Sequence, residues 1–348
     1  MDDLVRSIRY PVETPPEAGQ VIEVADGVFW ARMPLPMALD HVNIYILDDG
    51  DGWTVIDTGL DWPKCRAAWQ VLLDGPLSAK PVRRVLITHH HPDHIGMAGW
   101  FQSELNAEML ITRTAWLFAR MLLLDVQTEA SSASVDFWKA AGMPGDKIQE
   151  RLAERPFNFA DVLAPLPLGF TRIADGDLLQ MAGRNWRVRT GHGHAPEHAT
   201  MWSEDDNLVL AGDQFIPSIS PNLGVYPTEP EADPVTEWLE SCSRFQPFAQ
   251  EDHFVLPGHK LPFFGLPTRL DQMIENHVSA LDRLEAALAT PATAVECFMP
   301  VFKREIRGTQ YGLAMAEAVA HCLHLWHTGR ATRHRREDGA WVYEAVTK

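Results

Sequence analysis

An α/β fold is what this sequence predicts, and three observations predict it. Short β-branched and aromatic runs alternate with helical apolar spacing through the first part of the chain. A mostly helical stretch, about 114–170, interrupts the strand signals, which then resume. Each cluster of His and Asp follows directly on an apolar run, as expected where polar side chains gather at one edge of a sheet. At 348 residues, 46% hydrophobic and 22% charged, the chain has ample length for a sizeable core in one large domain or two.

The elements follow in order. "GVFWARMP", "HVNIYILDDGDGWTVIDTG" and "VRRVLITHH" are short strand-like runs punctuated by Asp-Gly and Pro, with "DDGDG" (48–52) as a hairpin turn. "PKCRAAWQVLLDG" (63–75) predicts a helix closing at Gly75. "IGMAGWFQSELNAEML" predicts a helix and then a strand. The stretch 114–170 holds no obvious ligand cluster and reads as a helical insertion. Strands return in "TRIADGDLLQMAGRNWRVRTGHGH" and "HATMWSEDDNLVLAGDQF". From 268 the composition changes. "TRLDQMIENHVSALDRLEAALA" and "GTQYGLAMAEAVAHCLHLWHTG" predict two helices, and "RATRHRREDGAWVYEAV" predicts a terminal hairpin. The division expected is a main domain, 1–267, and a small winged-helix-like domain, 268–348.

Composition narrows the function. A net charge of -17 repels phosphate backbones, so nucleic acid is disfavoured as a partner. Cys65, Cys242, Cys297 and Cys322 lie far apart without a Cys-x-x-Cys pair, which argues against a disulfide framework and fits a reducing cytoplasm. The N-terminal stretch carries early acids and no leader-like apolar core, and no window is long and apolar enough for a membrane span. Core packing accounts for most of the twelve tryptophans.

The chemistry starts at "LITHHHPDHIG" (86–96), where four histidines and an aspartate fall within residues 89–94. His89 and His91 are two apart, so on extended backbone they point the same way. Asp93 and His94 follow where the chain leaves the strand, aimed at a second point nearby. Neutral imidazole and carboxylate are the usual ligands of zinc and related divalent ions. Downstream, "TGHGHAPEH" holds His192, His194 and His198. "LVLAGDQF" leads an apolar strand into Asp213, and "HFVLPGHK" leads another into His259. Gly193, Gly212 and Gly258 permit the tight backbone such a gathering needs.

His-x-His-x-Asp-His, then Gly-His, Gly-Asp and Pro-Gly-His, in that order, resembles the metallo-β-lactamase-fold hydrolase superfamily. "VIDTG" with Asp57 resembles that family's early Asp-Thr-Gly element. The likeness covers roughly residues 20–265. With the C-terminal module it points to the glyoxalase II-like and endoribonuclease-like branches. The resemblance implies a four-layered αββα sandwich with a two-metal site at one edge of its sheets. Carried over residue by residue, His89, His91 and His194 hold one metal, Asp93, His94 and His259 the other, and Asp213 bridges them. "GHAP" selects His194, with His192 as the rival. His90 takes the variable position between ligands. Asp57 orients a ligand histidine, and Glu197 and His198 lie near the site. His41, His253 and the histidines of 277–334 are left as structural. Zinc is the expected metal, with manganese or iron as alternatives. Two such cations lower the pKa of a water between them and polarise a carbonyl or phosphoryl oxygen. Asp93 and Asp213 are the catalytic carboxylates, Asp213 also able to protonate the leaving group.

The preferred substrate is a small ester or thioester, such as an acyl thioester, under an apolar lid formed by the insertion, with Phe137, Trp138, Phe157 and Phe159 as its lining. An RNA-directed phosphodiesterase is the rival, drawing on the basic run of Arg330, Arg333, Arg335 and Arg336. Lactonase activity is a further alternative, disfavoured by Ile216 where acyl-homoserine lactonases of the family carry tyrosine. A non-catalytic metal-binding regulator is another, and the complete ligand set argues against it. The run "GDQFIPSISPNLGVYPTEP" resembles a bacterial branch with "GHxPEH", which supports a hydrolase without naming its substrate. The partners expected are a small-molecule substrate and a second copy in a homodimer.

Overall fold

The computed structural model describes residues 7–346. The beginning of the stretch read for a leader, residues 1–6, lies outside the described residues. The chain forms two compact units. The first comprises residues up to 126, 158–221 and 246–270, and the second comprises 127–157, 222–245 and 271 onward.

The first unit contains two sheets. Strands β1 (Ile22–Ala25), β2 (Val28–Pro34), β3 (His41–Asp48), β4 (Trp53–Ile56), β5 (Val82–Leu86), β6 (Glu108–Thr112) and β7 (Thr171–Ile173) pair in sequence order. Pairing is antiparallel from β1 to β4 and parallel from β4 to β7. The second sheet takes β8 (Leu178–Met181), β9 (Arg184–Gly191), β10 (His198–Ser203), β11 (Leu208–Gly212) and β12 (Phe254–Pro257), with β11 and β12 parallel. Helices α1 (Pro63–Asp74), α2 (Pro92–Ile95), α3 (Ala98–Leu105) and α4 (Arg113–Leu124) connect the strands of the first sheet.

Strand alternation builds two cores from one sheet. Val42, Ile44 and Ile46 of β3 join a cluster with Trp69 and Leu72 of α1 and Phe101 of α3. Tyr45 and Leu47, the intervening residues, join a cluster with Trp186 and Val188 of β9 and Met201 of β10. The first sheet therefore packs helices on one face and the second sheet on the other. This is the α/β sandwich that the sequence predicts. Helix α1 shows why the layers hold. Pro63 sits in its first turn, and Cys65, Ala68, Trp69 and Leu72 make one buried stripe. Trp30, Trp69, Trp186 and Trp238 are wholly buried, as core packing requires.

The second unit contains α5 (Ser132–Ala140), α6 (Gly145–Leu152), α7 (Pro234–Phe245), most of α8 (Leu266–Ala287), α9 (Phe298–Phe302), α10 (Tyr311–His327) and the hairpin β13 (Ala331–Arg335)–β14 (Trp341–Ala345). Helix α10 is buried on nearly every side and forms the axis of this unit. The division differs from the boundary expected at 267/268. The last stretch of the second unit does begin near there, at 271, but the unit also draws in 127–157 and 222–245. Amphipathicity is the reason: Phe137 of α5 and Val235, Trp238, Cys242 and Phe245 of α7 are buried residues of this unit. All four cysteines are buried, and none of them is in a disulfide. Among the described residues no helix is long and apolar enough to cross a membrane.

Candidate metal centre

Four strands of the first unit end at one edge and deliver the polar residues there. β4 runs into Asp57, β5 into the 89–94 loop, β11 into Asp213 and β12 into His259. These are carboxyl ends of parallel pairs, β4 with β5 and β11 with β12. Such ends leave backbone and loop side chains free to converge on a ligand. His194 comes from the turn between β9 and β10.

The side chains form overlapping groups. His89, His91 and His194 offer ligand atoms within 4.8 Å of one another, as do Asp93, His94 and His259, and also His89, His94 and Asp213. In the first group His91 Nδ1 lies 3.0 Å from His89 Nε2 and 3.0 Å from His194 Nε2. In the second, His259 Nε2 lies 3.3 Å from Asp93 Oδ2, and His94 Nε2 lies 3.6 Å from the same oxygen. Asp213 touches both groups, with Oδ2 3.5 Å from His194 Nε2 and 3.4 Å from His259 Nε2. Its Oδ1 is 3.4 Å from His94 Nε2.

These residues fit divalent cations. His94 Nε2 and Asp213 Oδ1 are buried without a hydrogen-bond partner. A buried polar atom without a partner is costly, and a cation placed between these two would satisfy both. The donor set is imidazole and carboxylate, which suits zinc, manganese and iron.

Surrounding groups fix each ligand. Asp57 Oδ2 accepts from His94 Nδ1 at 2.8 Å and from Thr88 Oγ1 at 2.9 Å, and its Oδ1 accepts from Thr88 N at 2.8 Å. Thr88 Oγ1 also lies 3.0 Å from His89 Nδ1. His259 Nδ1 donates to the His41 carbonyl at 2.7 Å. Each of these contacts engages the Nδ1 of its ring and leaves Nε2 for the centre. His198 Nε2 accepts from Asp213 N at 3.0 Å, and its ring stacks on His89 at 4.5 Å. Gly258 stands where a Cβ would come within 2.4 Å of Asp213 Oδ1. At Gly212, φ is +49° and a Cβ would lie 2.7 Å from the His198 ring.

Electrostatics divides the histidines. Burial, reinforced by the neighbouring imidazoles, holds His89 and His91 well below the ordinary histidine value and so neutral. Burial likewise pushes His198 down to about 3, which suits an acceptor for the Asp213 amide. For His259, burial opposes the charge but Asp213 and Asp93 outweigh it and bring the ring to about 10. His94 is held high in the same way by Asp213, Asp93 and Asp57. Asp213 is also buried, yet His259 and His94 keep it well below the usual carboxylate range. The excess of negative charge around the second group is what a cation needs.

His192 Nδ1 accepts from Glu197 N at 3.3 Å, while His194 joins the cluster. Glu197, at φ +48°, ties the β9–β10 turn to the start of α4: its carboxylate accepts from Thr114 N at 2.8 Å, and its carbonyl from Thr112 Oγ1 at 2.9 Å. An acid at a helix N-terminus is favourable there. His90 turns its ring against Phe118 of α4, with centroids 5.3 Å apart. The four expected lid aromatics divide between the units. Phe159 packs on the core of the first unit. Phe137 lines a cavity of about 280 Å³ in the second unit, with Leu323, Trp341 and Tyr343. Trp138 lies under the Arg151 guanidinium, and Phe157 is exposed. The aromatic that the structure brings beside the 89–94 loop is instead Phe118, which no motif in the sequence marks. His41, expected to be structural, anchors His259 through its backbone carbonyl. The residue type gave no signal for either, since one acts through a backbone carbonyl and the other through helix phase.

Fold and centre together define a class: an α/β sandwich with a His/Asp cluster at one sheet edge, able to hold divalent metal ions. The chain belongs to the metallo-beta-lactamase superfamily, whose pattern matches residues 37–287, and the pattern of the metallo-beta-lactamase-like C-terminal domain matches 281–346. A solved beta-lactamase domain protein from Burkholderia ambifaria is 34% identical, covers 97% of this chain and 98% of its own, and superposes with a TM-score of 0.90. A metallo-beta-lactamase family protein from Thermus thermophilus is 26% identical over 93% of this chain and all of its own, with a TM-score of 0.77. The probable metallo-hydrolase YqjP of Bacillus subtilis (strain 168) is 22% identical over 310 residues, 85% of this chain and 91% of its own length.

Proposed function

We propose that this chain is a binuclear metal-dependent hydrolase acting on a small ester or thioester. The observation that carries the two-metal reading is Asp213, whose carboxylate lies within 3.5 Å of His194 in one group and of His94 and His259 in the other. His89, His91 and His194 would hold one cation, Asp93, His94 and His259 the second, and Asp213 both. Zinc suits this donor set, with manganese or iron as substitutes. When bound, two such cations supply a deprotonated water at neutral pH and polarise the scissile carbonyl. The likeness to a protein described as a probable metallo-hydrolase supports the hydrolytic reading.

The chain's own groups handle orientation and protons. Asp57, the His41 carbonyl and Thr88 hold the rings of His94, His259 and His89 in place. Asp93 is the more exposed carboxylate, its side chain 19% exposed against 8% for Asp213. It is therefore the group within reach of incoming substrate. It takes the proton of the attacking water and returns it to the leaving alcohol or thiol.

A carbonyl substrate is favoured over RNA by the state of the basic C-terminal run. Arg330 pairs with Glu285 and Asp282, and Arg336 with Asp338. Arg333 pairs with Glu231 and stacks on Trp326 at 3.6 Å. Arg335 lies over the Trp341 ring at 4.5 Å. Three of these four guanidinium groups are thus neutralised by the unit's own carboxylates, which leaves little for a phosphate backbone. Ile216 is buried, so no phenol stands there to assist a lactone. The test is a panel of thioesters, aryl esters, lactones and phosphodiesters after reconstitution with zinc, manganese or iron. Turnover of a thioester or ester, lost in Asp93→Asn, is expected. Turnover confined to phosphodiesters would overturn the substrate class.

A further inference from the structure

A second set of ligating side chains lies in the C-terminal unit, remote in sequence from the centre already described. Helix α10 carries Glu317 and His321 four residues apart, on one face. Helix α8 supplies His277. One ligand atom from each of the three lies within 4.8 Å of the others. Both histidines are only 1% exposed. His321 Nδ1 donates to the Glu317 backbone carbonyl at 2.8 Å, which sets the tautomer and leaves a lone pair on Nε2. That Nε2 lies 3.3 Å from His277 Nδ1. Asn222 Nδ2 donates to Glu317 Oε2 at 2.7 Å and so orients the carboxylate. This resembles the outer support that metal ligands receive.

We infer that His277, Glu317 and His321 form a separate site for a zinc-class divalent cation, joining α8 to α10 inside the C-terminal unit. Tetrahedral zinc with bonds of about 2.0–2.1 Å sets neighbouring nitrogen ligands roughly 3.3–3.4 Å apart. The two imidazoles already have that spacing. Read as a plain hydrogen bond, the same 3.3 Å is longer than the usual range. That reading also puts the proton on His277 Nδ1 and leaves His277 Nε2 a bare acceptor. Nε2 is indeed buried without a partner. A cation that takes both facing lone pairs makes Nε2 an N–H instead. Two neutral imidazoles and one carboxylate leave a fourth coordination position for water, the pattern of an open site.

The decisive experiment is an anomalous difference map at the zinc edge, on crystals of the full chain saturated with zinc at neutral pH. A peak bonded to His277 Nδ1, His321 Nε2 and a Glu317 oxygen is expected, separate from any at His89–His259. His321→Gln should lose that peak and one equivalent of zinc by elemental analysis, and keep the zinc of the first centre. A saturated wild-type map with no peak among the three side chains overturns the inference, whether or not the variant folds. So does an unchanged zinc content in a folded His321→Gln protein. Neither outcome depends on the catalytic reading of the first centre.

Discussion

Asp57 adopts φ +60°, a backbone region that residues other than glycine enter only when their surroundings hold them there. Its two carboxylate oxygens accept three hydrogen bonds, from Thr88 N, Thr88 Oγ1 and His94 Nδ1. The strain is therefore tied to the orientation of one ligand ring. Asp57→Ala should weaken metal binding about 10–100-fold, as loss of such support typically does. Competition against a chromophoric chelator measures this, and an unchanged affinity would refute the role. His91→Ala removes a ligand outright. It should abolish turnover and lower the metal content, while circular dichroism keeps its native shape. At this scale the sequence was informative where chemistry depends on residue type and spacing. His89, His91, Asp93 and His94 are legible because no bland role needs that density of ligands. His41 was not legible, because what it offers His259 is a carbonyl that every residue carries. Phe118 was not legible either, because only the rotation of α4 decides that it meets His90.

The loops that carry the ligands are shaped by glycines at the ends of β11 and β12. Gly258→Ala would place a Cβ 2.4 Å from Asp213 Oδ1 and 2.8 Å from the His94 ring, with the Gly212 backbone 3.1 Å away. Metal content by elemental analysis should fall, with little change in secondary structure. Retention of the wild-type content would show that the loop relaxes. In the second unit, Asp233 precedes α7 and accepts from Thr236 N at 3.0 Å and Thr236 Oγ1 at 2.6 Å, the geometry of a capping residue. Burial opposes its ionisation, but hydrogen bonds from His324 and Thr236 outweigh this and bring it down to about 2. Its unfolded value is about 3.9. A folded carboxylate with a depressed pKa stabilises the protein above the unfolded value and loses that contribution as pH falls through the folded one. Wild type should thus exceed Asp233→Ala by about 0.5–2 kcal/mol at pH 6. The gap should narrow as pH falls from about 4 towards 2. Urea midpoints at pH 6 and pH 3 check it, and an equal gap at both would contradict the assignment.

For the molecule as a whole, metal binding and stability are linked. A cation that binds only the folded state stabilises it by about 2.7 kcal/mol when present at roughly 100 times its dissociation constant. Chelation should therefore lower the thermal midpoint, and added zinc should restore it. Calorimetry that shows identical midpoints with and without chelator would argue against tight metal binding. What the sequence by itself determined was the α/β class, the strand and helix runs of most of the first unit, and the ligand-dense stretch 89–94, while the choice of His194, Asp213 and His259 came from the resemblance to a family. Hydrophobic period and ligand spacing are local properties, and "PKCRAAWQVLLDG" or "HHHPDH" carries them without help from the rest of the chain. What only the tertiary structure decided was where amphipathic surfaces find partners. The helices of 127–157 and 222–245 belong to the C-terminal unit because an apolar stripe states that it must be buried but not against what. For the same reason Phe137 and Phe159, twenty-two residues apart, end in different cores, and His277 meets His321 only when two helices fold together.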